Sequence, residues 1–409
     1  MSIRTTIVAA ALISGLAATF PALASASPRP APSSSWSASW ISAMQPPGSD
    51  SPGFYHQTIR QVVRVSTGAS RLRIRLSNQY GVSPLRVTRA TVGRTRDGAS
   101  IQPGSLRELT FRGVRSTIIR AGGLGASDPI GLFAGPLEHL TITLYLAGST
   151  GPATLHGDGL TTTYLADGDH SSDVGGTAFT GATSHSFFYL AGVDVIGRRG
   201  TVVAFGDSLT NGHNSTVGAD RRYSDALAER LVRTGRPVVN AGISGNLLLS
   251  ELPCFGEKGL TRFRRDALDQ PGAGTVIVAE GVNDIWDSEG DFGCGTTERI
   301  TAADLIRGHR SLICAGHARG VRLVGGTMTP FKADYIPAAD FERAEAIRVQ
   351  VNNWILTSGE YDAVVDFAKA VADPADPQAL NPLYNSGDSL HPNDAGYRAM
   401  AAAVDLASL

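Results

Sequence analysis

The chain has 409 residues, 42% of them hydrophobic and 18% charged, a length that favours two domains and a composition that excludes intrinsic disorder. Its 36 Lys+Arg against 37 Asp+Glu give a net charge of −1, so no broad cationic field exists to attract nucleic acid or an anionic membrane. No nucleic-acid partner is expected.

The first 26 residues, "MSIRTTIVAAALISGLAATFPALASA", place Arg4 before an apolar stretch and end in small residues, the pattern of a cleavable secretory signal. The apolar stretch is short and is followed by the Ser/Pro-rich "SPRPAPSSS", which favours cleavage over retention as an anchor. A secreted, extracellular protein with no stable membrane anchor is expected, with residues 27–55 as a Ser/Pro-rich lead-in.

Residues 56–198 read as short strands: "QVVRVST", "RLRIRLSN", "LRVTRATVG", "HLTITLYLAG", "TTTYLA" and "SFFYLAGVDVI". Their period-two alternation, broken by Gly, Ser and Asp, predicts an all-β sandwich. Within it, "DGDHSSD" (Asp167 to Asp173) lacks the glycine and terminal Glu of a helix–loop–helix calcium site and is read as a polar turn.

From residue 199 to 409 the pattern changes. Apolar runs "TVVAF", "PVVNAG", "TVIVAEG", "VRLVGGT" and "AVVDF" alternate with helical stretches whose apolar residues recur at three- and four-residue spacing. Such alternation predicts a parallel sheet covered on both faces, with ligands bound beyond the carboxyl ends of its strands.

Those ends carry the chemistry. The first gives Gly206-Asp207-Ser208, the second "NAGISGN" (Asn240 to Asn246), the third "EGVNDI" (Glu280 to Ile285), and the last strand is followed by "DSLHPND" (Asp388 to Asp394). Hydrolysis through a serine needs a base, a group to orient it, and donors for the developing oxyanion. Ser208 is the candidate nucleophile, His391 the base and Asp388 its partner; the N–H groups of Ser208 and Gly245 and the amide of Asn283 are the candidate oxyanion donors. Singly, each is as well explained by a turn or a helix cap. Four in order at four strand ends make a site.

These blocks resemble those of the SGNH, or GDSL, ester hydrolases: Gly-Asp-Ser, an oxyanion glycine, Gly-x-Asn-Asp and Asp-x-x-His, matched at Ser208, Gly245, Asn283, and Asp388 with His391. The resemblance covers residues 201–409 and implies a three-layer α/β fold with a flavodoxin-like parallel sheet. The upstream half, with "TIRQVVRVSTGASRLRIRLSNQYG", is similar to the β-domain of secreted two-domain bacterial members. Ser208 is not in a Gly-x-Ser-x-Gly elbow, because Thr210 replaces the second glycine.

Other residues have quieter readings. His213 has no carboxylate at matching spacing and is read as a loop residue, His309 as a packed histidine, and His317 as favouring its helix dipole. "RFRRD" (Arg262 to Asp266) reads as a solvated, ion-paired helix face. The segment "NLLLSELPCF" (Asn246 to Phe255) fits either the wall of an acyl pocket or packing beneath the β-domain.

Of three cysteines, Cys254 and Cys294 follow the strands that carry Gly245 and Asn283, so they are the expected disulfide at one rim of the site. Cys314 lies late in a helix and is expected free. The spacings do not suit zinc, and no metal or organic cofactor is expected. The sequence thus predicts a serine esterase acting on short acyl, chiefly acetyl, esters of a small molecule or polysaccharide. A lipase or phospholipase acting on longer chains is the alternative within the class, and a non-catalytic carbohydrate-binding protein the alternative outside it.

Overall fold

The computed structural model describes residues 1–2, 36–197, 200–288 and 294–409. Except for residues 1–2, the expected signal segment lies outside the described residues, as does the start of the lead-in. No helix among the described residues is long and apolar enough to cross a membrane.

The N-terminal half is built of antiparallel sheets. One runs Trp36–Ile41, Leu190–Ile196, Ala69–Asn78, Ile130–Ala134; the other runs Thr183–Ser184, Thr163–Asp167, Gln57–Arg64, His139–Leu146, Arg89–Asp97, Ser100–Ile101. Alternation explains the pairing. Leu72, Ile74 and Leu76 of the first sheet share a core with Ile59, Val92, Leu140, Ile142 and Leu144 of the second. On the opposite face of that strand, Arg73 and Arg75 each reach the buried Asp194 at 2.9 Å.

Two local readings change, and one is refined. The lead-in contributes a strand, Trp36–Ile41, because its alternating small and apolar residues fit between two cores: Trp40 packs in the β core, while Ala38 and Ile41 pack against the C-terminal half. The run "SFFYLAGVDVI" is broken at Tyr189, whose φ is 58°. The turn Asp167 to Asp173 is organised by the buried Arg60, which donates to the carbonyls of His170 (3.2 Å) and Asp173 (2.6 Å), with Phe179 stacked 4.0 Å from its guanidinium.

The C-terminal half holds five parallel strands, β1 (Thr201–Gly206), β2 (Val238–Gly242), β3 (Ala273–Ala279), β4 (Arg322–Gly326) and β5 (Ala363–Val365), in the order 2-1-3-4-5. Its helices are α1 (Ser208–Asn211), α2 (Tyr223–Leu231), α3 (Gly259–Phe263), α4 (Val282–Trp286), α5 (Ala302–His317), α6 (Ala338–Thr357), α7 (Phe367–Val371) and α8 (Asp394–Ala403). Both faces of the sheet are buried. Val203, Phe205, Val276 and Val278 face Leu305, Leu312 and Val351, whereas Val202, Ala204 and Ile277 face Leu227, Phe367 and Met400. At about 1.5–3 kcal/mol per fully buried aliphatic side chain, this two-sided burial is the main driving force for the sheet.

The two halves are joined by specific bonds. The Ala38 N–H donates to Pro271 O at 2.8 Å, Arg64 pairs with Glu229 at 2.9 Å, and Tyr80 donates to Glu257 at 2.8 Å.

Candidate active site

The site forms where β1, β2 and β3 end. Asp207 caps α1, its Oδ1 accepting the Leu209 N–H at 2.9 Å, which makes Ser208 the first helical residue. A first-turn N–H has no carbonyl one turn earlier, so that of Ser208 is left for a ligand.

Gly245 lies in a turn closed by the Asn246 N–H donating to Ile243 O at 3.1 Å. Its φ of 77° at the third position of that turn demands glycine, and a Cβ there would meet the Phe255 ring at 2.1 Å. Among the described residues none accepts from the Gly245 N–H. The end of β2 presses on α1, since a Cβ on Gly242 would lie 2.2 Å from the Asn211 nitrogen.

Asn283 sits in α4, directly after β3, and its Nδ2 donates to Asn246 O at 2.8 Å. The amide therefore stands beside the Gly245 turn. One of its two hydrogens is held by that bond, and the other is available to a ligand.

Asp388 and His391 come from the loop before α8, where Ser389 takes a φ of 65°. That conformation folds Asp388 Oδ1 back onto the N–H groups of Leu390 (2.9 Å) and His391 (2.8 Å). Oδ2 accepts from His391 Nδ1 at 2.6 Å and from Asn214 Nδ2 at 2.8 Å. With Nδ1 donating to the carboxylate, Nε2 is free to accept, and it lies 2.9 Å from Ser208 Oγ across 183 residues of sequence. Burial alone would raise the Asp388 pKa, but hydrogen bonds from the His391 ring and from the N–H groups of His391 and Leu390 outweigh it and hold the carboxyl well below the usual range.

Arg262, expected on a solvated face, is instead fully buried beneath these strand ends. It donates to Ala241 O at 2.7 Å, Gly206 O at 2.8 Å, Asn246 Oδ1 at 2.6 Å and Glu280 Oε1 at 3.1 Å. The helical period that hid it from a composition reading turns Arg264 outward and Arg262 inward. Around it, burial pushes the Asp207 and Asp284 carboxyls up to about 7 and raises that of Glu280 well above the usual carboxylate range.

His213 also departs from its sequence reading. Its partner is Asp158, from the β half, at 2.8 Å from Nδ1, and its ring stands 4.7 Å from that of His391. Asp158 accepts from Ser244 Oγ at 2.8 Å as well. The signal was an acid flanked by glycines in "HGDGL", but spacing cannot link positions 55 residues apart.

His309 is a packed histidine, its Nδ1 2.7 Å from the Tyr361 hydroxyl, with burial lowering its pKa to about 4. His317 pairs with Asp362 at 2.9 Å rather than serving only the helix end. In "NLLLSELPCF", Leu248 is buried in the core beside α5, and the N–H groups of Leu248 and Leu249 donate to Asp284 at 2.6 and 2.7 Å. Leu248 and its neighbours thus pack within the C-terminal half, while Phe255 of the same segment lies against the Gly245 turn. Cys254 and Cys294 are bonded, with Cα atoms 6.1 Å apart, and Cys314 is free and exposed. Among the described residues no cluster of three or more His, Cys, Asp or Glu side chains is placed to hold a metal ion.

Residues 204–399 match the model of the GDSL-like lipase/acylhydrolase family. No curated protein matches the chain. Among solved structures, a GDSL-like lipase from Bacteroides thetaiotaomicron VPI-5482 is similar at 19% identity over 51% of this chain and 87% of its own, with a TM-score of 0.36. An acetyl xylan esterase is similar at 21% identity (49% and 96% covered, TM-score 0.38), and an aryl esterase from M. smegmatis at 17% (50% and 95%, TM-score 0.38). The protein is a carboxylic ester hydrolase. Its C-terminal half belongs to the GDSL-like lipase/acylhydrolase family, preceded by an all-β region.

Proposed function

We propose that the protein is a secreted serine esterase that removes short acyl groups, chiefly acetyl, from carbohydrate. The observation that carries the mechanism is the His391 ring, bonded to Asp388 at 2.6 Å on one nitrogen and 2.9 Å from Ser208 Oγ on the other. Ser208 attacks the ester carbonyl as His391 takes its proton, and the resulting oxyanion is held by the N–H groups of Ser208 and Gly245 and the amide of Asn283. His391 then protonates the leaving alcohol. Water, activated by the same imidazole, releases the acid from the acyl-serine.

The leucine segment after Gly245 supports the preference for short acyl groups. Leu247 and Leu248 are 1% and 0% exposed, spent on the core rather than on the wall of an acyl channel. Secretion is supported by the leader-like N-terminus and by the disulfide, a bond that persists in oxidising compartments. The strand order 2-1-3-4-5 supports a three-layer flavodoxin-like reading of residues 199–409, and the shared core of the two antiparallel sheets supports a sandwich reading upstream.

The test is a series of p-nitrophenyl esters from acetyl to palmitoyl, together with acetylated xylan. Turnover should peak at acetyl or butyryl and fall steeply beyond, with acetate released from the polymer. Faster turnover of long-chain esters would replace this reading with the lipase one.

A further inference from the structure

The segment between strands Leu155–His156 and Thr163–Asp167 carries Asp158 out of the β half and onto the catalytic loops. Its Oδ2 accepts from His213 Nδ1 and from Ser244 Oγ, both at 2.8 Å, and its carbonyl accepts from Asn211 Nδ2 at 2.9 Å. Each partner adjoins a functional residue. Asn211 ends the helix that Ser208 begins, Ser244 precedes Gly245, and the His213 ring meets that of His391 edge-on at 4.7 Å.

The chemistry of the leaving group tells which side of the ester this array borders. His391 must return its proton to the departing alkoxide, so the alcohol oxygen comes within hydrogen-bond reach of its Nε2. Groups packed against the His391 ring therefore line the alcohol side. The His213 and Asp158 side chains are 41% and 28% exposed, open enough to touch a ligand. Among the described residues none bonds His213 Nε2 or Asp158 Oδ1.

Burial would raise the Asp158 pKa, yet hydrogen bonds from His213 and Ser244 hold it below the usual carboxylate range. The same bond raises that of His213. An ionised carboxylate beside an imidazole suits hydroxyl groups and penalises an alkyl chain, whose contact would strip water from the charges without replacing its hydrogen bonds.

We infer that Asp158, His213 and Ser244 form the subsite for the alcohol part of the ester, and that this part is a polyhydroxylated, sugar-like group. This rests on the esterase reading above and deepens it. The β half thereby supplies substrate recognition directly, through one carboxylate, and not only a surface at a distance from the reaction.

The experiment compares kinetic constants for an acetylated xylo-oligosaccharide and for phenyl acetate in wild type, Asp158→Asn and His213→Gln, with melting temperatures alongside. Losing a hydrogen bond to a charged group should raise KM for the carbohydrate ester about ten-fold or more. The kcat/KM ratio of carbohydrate to phenyl ester should fall by a similar factor in both variants. Should Asp158→Asn melt early, the half-exposed His213→Gln carries the comparison. An unchanged ratio, with either no loss or equal loss on both esters, would make Asp158 a loop brace and overturn the subsite while leaving the esterase reading intact. A wild type that cleaves phenyl acetate but no acetylated carbohydrate would instead remove the carbohydrate reading, and the subsite with it.

Discussion

Arg262 donates a hydrogen bond to the carbonyl of Gly206 at 2.8 Å, two residues before Ser208, from a position with no solvent exposure. The same guanidinium holds the carbonyl of Ala241 and the carboxylate of Glu280, so one side chain ties together the ends of β1, β2 and β3. Replacing it with leucine removes the donor of Glu280 Oε1 and one from the Ala241 carbonyl, while the Gly206 carbonyl keeps the Ile243 N–H at 3.1 Å. Each buried acceptor left without a donor costs about 1–3 kcal/mol, so a loss of a few kcal/mol is expected. Urea denaturation should show it as a lowered midpoint, and a loss within experimental error would mean that the clamp is dispensable.

Ser208→Ala should abolish ester hydrolysis while leaving the fold intact, since the helix is capped by Asp207 and not by the serine hydroxyl. A fluorophosphonate probe should label the wild type at Ser208 alone. Labelling of another serine, or residual full activity in the variant, would remove the nucleophile assignment.

Asn283→Ala is expected to lower kcat by about two to three orders of magnitude with little change in KM, the usual effect of deleting one oxyanion donor. The bond from Asn283 Nδ2 to Asn246 O adds a second consequence. Orphaning that buried carbonyl should cost about 1–3 kcal/mol of stability. Steady-state kinetics and thermal melts together separate the two; a stability loss with normal kcat would leave Asn283 only a structural role.

The chain ends of the parallel strands were legible because each need of the chemistry had its own short motif at its own strand end. Ser208 and Asn283 stand in the first turns of short helices, and Gly245, Asp388 and His391 in loops, all defined by local sequence, and alternation alone placed the five parallel strands. What escaped was decided by long-range packing. Arg262 lies in a basic run whose charges look alike until a helix period sorts them into one buried and one exposed. Asp158 acquires its meaning only from a histidine 55 residues further along the chain. Strand Trp36–Ile41 was hidden by composition, because serines that suggest a linker are equally at home between two cores.

The Cys254–Cys294 bond closes a loop of 40 residues between the Gly245 turn and the segment after α4. On chain-entropy grounds a loop of that size is worth up to about 4 kcal/mol, so Cys254→Ser with Cys294→Ser should lower the melting temperature clearly. Native protein should react with maleimide once, at the exposed Cys314. Three labelled cysteines before reduction would show that the bond does not form in solution.

Asp388 offers a test in which the sign of a pH effect is fixed in advance. Its carboxyl is held well below the usual range by the His391 ring and the N–H groups of Leu390 and His391, against the opposing effect of burial. A depressed native pKa means that the unfolded chain binds the proton more tightly than the native one, so this contribution to stability is complete above the unfolded value of about 3.9 and is lost as pH falls through the native one. The melting-temperature difference between wild type and Asp388→Asn should therefore stay level from pH 5 to 8, on the order of the neutral range, and shrink below about pH 4. Activity should behave differently. With an amide facing Nδ1, the imidazole loses both its orientation and the partner of its positive charge, and kcat should drop by about four orders of magnitude across the whole range. A variant that keeps a tenth of wild-type kcat would show that His391 needs no carboxylate, and a stability difference that grew as pH fell below 4 would contradict an ionised Asp388 in the native site.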